Sequence, residues 1–182
     1  MSHFIFLTAT LLILVQPTIA QKIYATNKGT ASFFSKAPIA DVDARNTKVR
    51  VRLNTGNQEL TFDIKMADFQ FKSAKMGRDA RKNYIEIDQY PKASFRGKIT
   101  TDINYTKPGT YPATATGKLE IHGTEKDVTE KGTVTVGKGK IRLASELNVQ
   151  LKDYNIKTPK ILGKEMTEEK VKVMIAATLE VQ

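Results

Sequence analysis

The chain has 182 residues, no cysteine, no tryptophan and a formal net charge of +10. The missing thiols exclude cysteine nucleophiles, CxxC redox chemistry, thiolate metal sites and any disulfide framework. The positive charge favours acidic partners such as anionic lipid headgroups, lipopolysaccharide or nucleic acid, but the basic residues are spread along the chain, as on a solvated surface with a basic bias.

Residues 1–20 carry no Lys, Arg, Asp or Glu, and residues 4–15 are almost unbroken apolar sequence. A helix spanning a bilayer needs about 20 such residues; this shorter run fits the apolar core of a secretory signal peptide. Pro17 breaks a helix after it, and Thr18 and Ala20 supply the small residues of a cleavage site. The expectation is a signal peptide over 1–20 and a mature domain over 21–182 beginning at Gln21. No cysteine stands beside the cleavage site, which excludes a lipoprotein anchor. An exported domain without disulfides must be held by its core alone, which points to the periplasm of a Gram-negative bacterium.

The mature chain has a period of two. Short runs at 22–26 and 30–36 are followed by Val49, Val51 and Leu53 alternating with Lys48, Arg50 and Arg52. Thr55-Gly56-Asn57 turns the chain into Leu60, Phe62, Ile64 and Met66, which alternate with Thr61, Asp63 and Lys65. Residues 73–84 lose the alternation, and their Ala, Lys, Met and Arg content predicts a short helix or Ω-like loop. Strands are predicted over 92–104, 113–122, 127–136, 140–152 and 169–181, with turns at Lys107-Pro108-Gly109, His122-Gly123-Thr124 and Gly137-Lys138-Gly139. With 47–54 and 58–66 this makes eight or nine strands with one apolar face each. That pattern belongs to an antiparallel sheet folded as a sandwich or a barrel, and eight strands suffice for a closed barrel holding one small ligand. The stretch 155–166, with Pro159 and Gly163, is irregular.

Catalytic signals are sparse. His122 is the single histidine of the mature chain, and no GxSxG elbow accompanies it. One histidine cannot anchor a zinc site, so an exposed or turn-stabilising role is expected. Glu86 with Asp88 and Glu168 with Glu169 have the look of surface charge, and no P-loop or GxGxxG occurs. Phe69, Phe71 and Lys72 offer little interleaving of aromatic and basic residues for single-strand binding, and no nucleic-acid partner is expected. No catalytic residue, metal ligand or cofactor is assigned. The large apolar residues fit a filled core or an elongated apolar cavity equally.

Four segments, in order, resemble the YceI-like family of bacterial periplasmic proteins: Ala31-Ser32-Phe33-Phe34-Ser35-Lys36-Ala37-Pro38-Ile39, Tyr90-Pro91-Lys92-Ala93-Ser94-Phe95-Arg96-Gly97-Lys98-Ile99, Gly117-Lys118-Leu119-Glu120-Ile121-His122-Gly123-Thr124 and Leu151-Lys152-Asp153-Tyr154-Asn155-Ile156. The resemblance implies an all-β fold: an antiparallel, lipocalin-like, eight-stranded barrel with one short helix or loop insertion. It also implies an internal pocket for polyisoprenoid chains, isoprenoid quinones or similar amphiphiles. Such barrels are able to pair as homodimers, and the basic surface suits contact with an anionic membrane face. Tyr154-Asn155-Ile156 departs from the family's Phe-Gly-Ile type of segment by losing a glycine, and 73–83 resembles a shorter, more basic form of its loop-helix.

Strand parity and residue size place Phe33, Phe62, Met66, Phe69, Phe71, Met76, Tyr84, Phe95, Leu119, Ile121, Leu143, Leu147, Tyr154, Val173 and Ile175 as candidate pocket residues, with Tyr84 and Tyr154 at the mouth. The expected function is non-catalytic binding of a long apolar ligand, a polyisoprenoid, isoprenoid quinone or fatty-acyl lipid. Two alternatives stand beside it. One is a barrel filled by its own side chains, acting in interaction or stress response through loops 73–88 and 155–167. The other is a hydrolase using Glu86 or Asp88.

Overall fold

The computed structural model describes residues 22–35, 42–157, 160–161, 164–165 and 170–182; the expected signal peptide lies outside them. In chain order the elements are β1 (Ile23–Ser35), β2 (Val42–Asn54), β3 (Glu59–Lys65), the two-residue β4 (Gln70–Phe71), helix α1 (Ala74–Asn83), β5 (Lys92–Ile99), β6 (Gly109–Ile121), β7 (Thr124–Val136), β8 (Lys140–Gln150), the short β9 (Lys160–Ile161) and β10 (Lys164–Glu165), and β11 (Lys170–Val181).

Eight long strands pair antiparallel in the order β1-β11-β8-β7-β6-β5-β3-β2, and β2 pairs back on β1 to close a barrel. Closure removes the free edges that an open sheet exposes. The short β4 adds to the start of β2 through Ala44 opposite Phe71. The ladder between β7 and β8 is short: the two strands pair only through residues 132–136 and 141–145. Residues 124–131 of β7 pair with β6 alone, and residues 146–150 of β8 with β11 alone.

The predicted runs 22–26 and 30–36 are one strand. Register shifts between Thr26 and Gly29 and again before Ala31 set the extra residues of a bulge there. Gly29 allows the close approach, since a Cβ on it would lie 3.0 Å from the Val49 carbonyl oxygen. β2 begins at Val42, earlier than the alternation indicates. Its inward positions are Ala44 and Asn46, then after the shift Val49, Val51 and Leu53. Asn46 is fully buried yet satisfied: its Nδ2 donates to the Lys65 carbonyl at 3.0 Å, and its Oδ1 accepts from the Lys48 N–H at 2.8 Å. β5 ends at Ile99 rather than 104, because Asn104 Oδ1 organises a turn by accepting from the N–H groups of Thr106 and Lys107.

The two ends of the barrel differ. At the lower end, with the turns at 55–58 and 137–139, Leu53, Ile141, Leu179, Val49 and Val134 have essentially no exposed surface and fill the interior. At the upper end lie α1, the β6–β7 turn and a 3-10 turn over Leu151–Tyr154. Ser73 caps α1 by accepting from the Met76 N–H at 3.4 Å. Arg81 ties the helix down, donating to the Phe69 carbonyl at 2.6 Å with its guanidinium 5.3 Å from the Phe71 ring centre.

The β6–β7 connection is a two-residue turn with positive φ at His122 (51°) and Gly123 (68°), the backbone that matches the twist of a tight hairpin. Of the two roles expected for His122, exposed or turn-stabilising, the structure supports the second. Its side chain is only 7% exposed, and its Nε2 lies 2.9 Å from Glu86 Oε2. The ring sits 4.0 Å from that of Tyr90. The turn points the imidazole back onto the segment after α1, so Glu86 is a structural partner of His122 while Asp88 stays exposed. Glu168 and Glu169 lie outside the described residues.

Candidate ligand-binding site

Residues of one parity point into the barrel, but their burial changes along each strand. On β8, Ile141 and Leu143 are buried, and Ser145 and Leu147 are only half-buried. On β11, Leu179 and Ala177 are buried, and Ile175 and Val173 half-buried. On β7 the sequence from the bottom is Val136 and Val134 buried, then Gly132, Glu130 and Val128 half-buried. Inward side chains that are not fully covered face an internal space, a cavity of about 160 Å³ in the upper half of the barrel.

Small side chains create this space. Ala93, Ala113, Ala115, Gly132 and Ser145 all line it, and the register places Gly132 opposite both Ala113 and Ser145. Around it stand Phe62, Ile64, Phe95, Leu119, Ile121, Leu147, Val173 and Ile175. Phe62, Phe95 and Leu119 are successive cross-strand partners, and the two rings pack edge-on at 6.3 Å. Lower down, Gly97 faces Gly117 across β5 and β6, and the Phe95 ring covers the missing Cβ of Gly97 at 2.6 Å.

Of the fifteen candidates, eight line the cavity: Phe62, Phe95, Leu119, Ile121, Leu143, Leu147, Val173 and Ile175. The other seven lie elsewhere. Phe33, Phe69 and Phe71 form an aromatic cluster, with ring centres 5.2 and 5.8 Å apart from Phe33, beside α1. The 3-10 turn at Met66–Asp68 separates Phe69 and Phe71 from β3, and the chain rejoins the sheet at β4, where Phe71 and Phe33 flank Ala44 of β2. Met66 packs on the outside of the core cluster, Met76 lies half-buried in α1, and Tyr84 is that helix's C-cap. Tyr154 is buried (5% exposed) in the 3-10 turn after β8, off the cavity wall. Burial, helped by Asp153 and Glu130, raises its hydroxyl pKa. Asn155 takes the left-handed conformation that glycine would otherwise supply (φ 56°, ψ 24°), and its Nδ2 donates to Thr124 Oγ1 at 3.0 Å. The turn is therefore made without a glycine.

Glu130 lines the cavity without having been among the candidates. Parity on β7 carried the signal, since it is the charged member of the inward set Val128, Glu130, Gly132, Val134 and Val136. Desolvation raises its carboxyl pKa above the ordinary glutamate value. No group of three or more His, Asp or Glu among the described residues could hold a metal ion.

The geometry has counterparts in solved structures. A polyisoprenoid binding domain from Saccharophagus degradans, implicated in plant cell wall breakdown, superposes with a TM-score of 0.72 at 12% identity, over 88% of this chain and 98% of that one. Burkholderia cenocepacia BcnA gives 0.68 at 19% identity, over 84% and 96%. The Campylobacter jejuni YCEI protein gives 0.51 at 15% identity, over 98% of both chains. No curated protein matches the sequence significantly. Likeness at these identities establishes the barrel fold. The sequence profile of the YceI-like domain matches residues 24–179, nearly the whole barrel, and the chain therefore belongs to the YceI-like family.

Proposed function

We propose that this chain is exported to the periplasm and binds the apolar part of an amphiphile inside its barrel, without catalysis. The observation that carries this reading is the nearly all-apolar wall of the upper cavity. Each methylene buried there contributes about 0.8 kcal/mol, so no special chemistry is needed for affinity. The ligand classes that fit are a polyisoprenoid, an isoprenoid quinone and a fatty-acyl lipid. The likeness to the polyisoprenoid binding domain from Saccharophagus degradans supports the first of these. Exposed Lys48, Arg50, Arg52, Lys92 and Lys98 on the outer faces of β2 and β5 support docking on an anionic membrane face.

Native mass spectrometry of the mature protein, purified without detergent, tests the reading. A stoichiometric adduct that extracts as an isoprenoid or acyl lipid is expected. A clean apo mass that takes up no added quinone or polyprenyl phosphate would refute it. That outcome would favour the filled-barrel scaffold, which the solid lower half supports.

A further inference from the structure

The cavity is small for the ligands its chemistry suits. An engineered apolar cavity of about 150 Å³ takes up benzene, so about 160 Å³ holds only a short length of chain. A longer amphiphile must leave the lumen somewhere. Among the described residues, the gap between β7 and β8 is a break in the pairing that has residues of both its strands in the cavity lining. Its lower limit is the rung Gly132–Ser145, locked by Ser145 Oγ donating to the Lys131 carbonyl at 2.7 Å. Its upper limit is the Asn155–Thr124 hydrogen bond. Residues 125–131 of β7 lie between, so the gap runs roughly 25 Å along the strand at about 3.4 Å per residue. The cavity reaches this gap, because Lys131, Gly132, Ala144 and Ser145 from its two edges belong to the lining.

Glu130 stands at this opening, on the inward face of β7 and opposite Ala115. It has no ion-pair partner among the described residues, and Lys131 has the opposite parity and is exposed. Resting on the reading of the cavity as the chain site, we propose that the β7–β8 gap is a side port from which the polar head of the bound amphiphile emerges past Glu130, and that the port favours heads that are uncharged over heads that are anionic. A hydroxyl head donates to the carboxylate or accepts from the carboxylic acid. A phosphate head beside the same group, in apolar surroundings, meets like-charge repulsion. The raised pKa of Glu130 agrees with such surroundings. The overall charge of +10 acts the other way at long range and steers anionic amphiphiles toward the protein. The port therefore makes a prediction opposite to net charge.

The test uses the mature protein, the uncharged fluorophore phenylnaphthylamine as a reporter of the cavity, and dodecanol or dodecyl phosphate as competitors. Dodecanol is expected to displace the fluorophore about tenfold more effectively than dodecyl phosphate. Glu130→Gln is expected to remove most of that preference by tightening the phosphate. The chain contains no native cysteine, so a Thr129→Cys, Asn148→Cys pair can be stapled across the gap with a bismaleimide. This staple is expected to slow uptake about tenfold. The same staple on Arg142→Cys, Thr178→Cys, across the intact β8–β11 ladder, is expected to leave uptake unchanged. Equal displacement by the two heads in parent and Glu130→Gln, with no effect of the port staple, would overturn the inference while leaving the cavity reading standing. Failure of the parent to take up phenylnaphthylamine would overturn the cavity reading itself.

Discussion

A filled lower half and a hollow upper half make truncations of chemically identical residues unequal. Leu53 has no exposed surface and belongs to the packed end, whereas Leu147 is half-buried on the cavity wall. Leu53→Ala removes the equivalent of three methylenes, about 2.4 kcal/mol of transfer free energy. It also leaves a new void, which costs about 24 cal/mol per Å³. A total of about 4 kcal/mol is expected. Leu147→Ala removes atoms that already border empty space and creates no separate void, so about 1 kcal/mol is expected. At about 2–4 °C per kcal/mol for a domain of this size, the losses in Tm are about 8–16 °C and about 2–4 °C. Ala115→Leu is the converse test. It adds side-chain volume to the cavity and should be within about 1 kcal/mol of neutral, whereas overpacking a full core costs about 1–3 kcal/mol. Urea unfolding followed by circular dichroism, with equal m-values checked across variants, measures all three. Leu147→Ala as costly as Leu53→Ala, or Ala115→Leu losing more than about 2 kcal/mol, would refute the hollow upper half.

Three further outcomes are expected. The Tyr105 hydroxyl is buried without a hydrogen-bond partner among the described residues, and burial pushes its pKa up to about 12; Tyr105→Phe should stabilise by about 1 kcal/mol in the same urea assay, and a loss would show that the hydroxyl is satisfied. Asn155→Ala should cost about 1–2 kcal/mol through its positive φ and the lost bond to Thr124, while Asn155→Gly should recover part of that loss; an equal loss in both variants would contradict the left-handed turn. Because the Glu130 pKa is raised in the folded state, its stability contribution is present at low pH and is lost as pH rises through the folded value. Glu130→Gln should therefore raise Tm at pH about 7, with the gain vanishing below about pH 4; a gain that does not change with pH would contradict the sign.

Much of the barrel was legible because period-two alternation survives wherever a strand has one wet face. The β3, β7, β8 and β11 runs and the turns at Gly56, Gly123 and Gly137–Gly139 follow from it, and its loss marks the α1 segment, whereas the turn expected at Lys107-Pro108-Gly109 lies earlier, at Asn104–Lys107, and Gly109 opens β6. The alternation failed where parity shifts. Asn46, a buried polar residue beside a bulge, hid the first third of β2, and the Thr26–Gly29 bulge split β1 into two apparent strands. The candidate site was half legible for a related reason. Searching for large apolar residues finds those that fill space, as Phe33, Phe69 and Phe71 do beside α1. A cavity is made by what is small, here Ala113, Ala115, Gly132 and Ser145, and small residues on a strand carry no signal until the register sets them side by side. Glu130 was visible by parity alone, but its place at the unpaired stretch of β7 depends on where the β7–β8 ladder stops.

The most direct measurement is methyl-resolved NMR of the mature protein titrated with dodecanol. Saturable shifts confined to methyl groups of Leu119, Ile121, Leu147, Val173 and Ile175, with Leu53, Ile141 and Leu179 unmoved, are the expected result. The absence of saturable shifts at the cavity methyls, or shifts only at residues outside the barrel, would contradict the account.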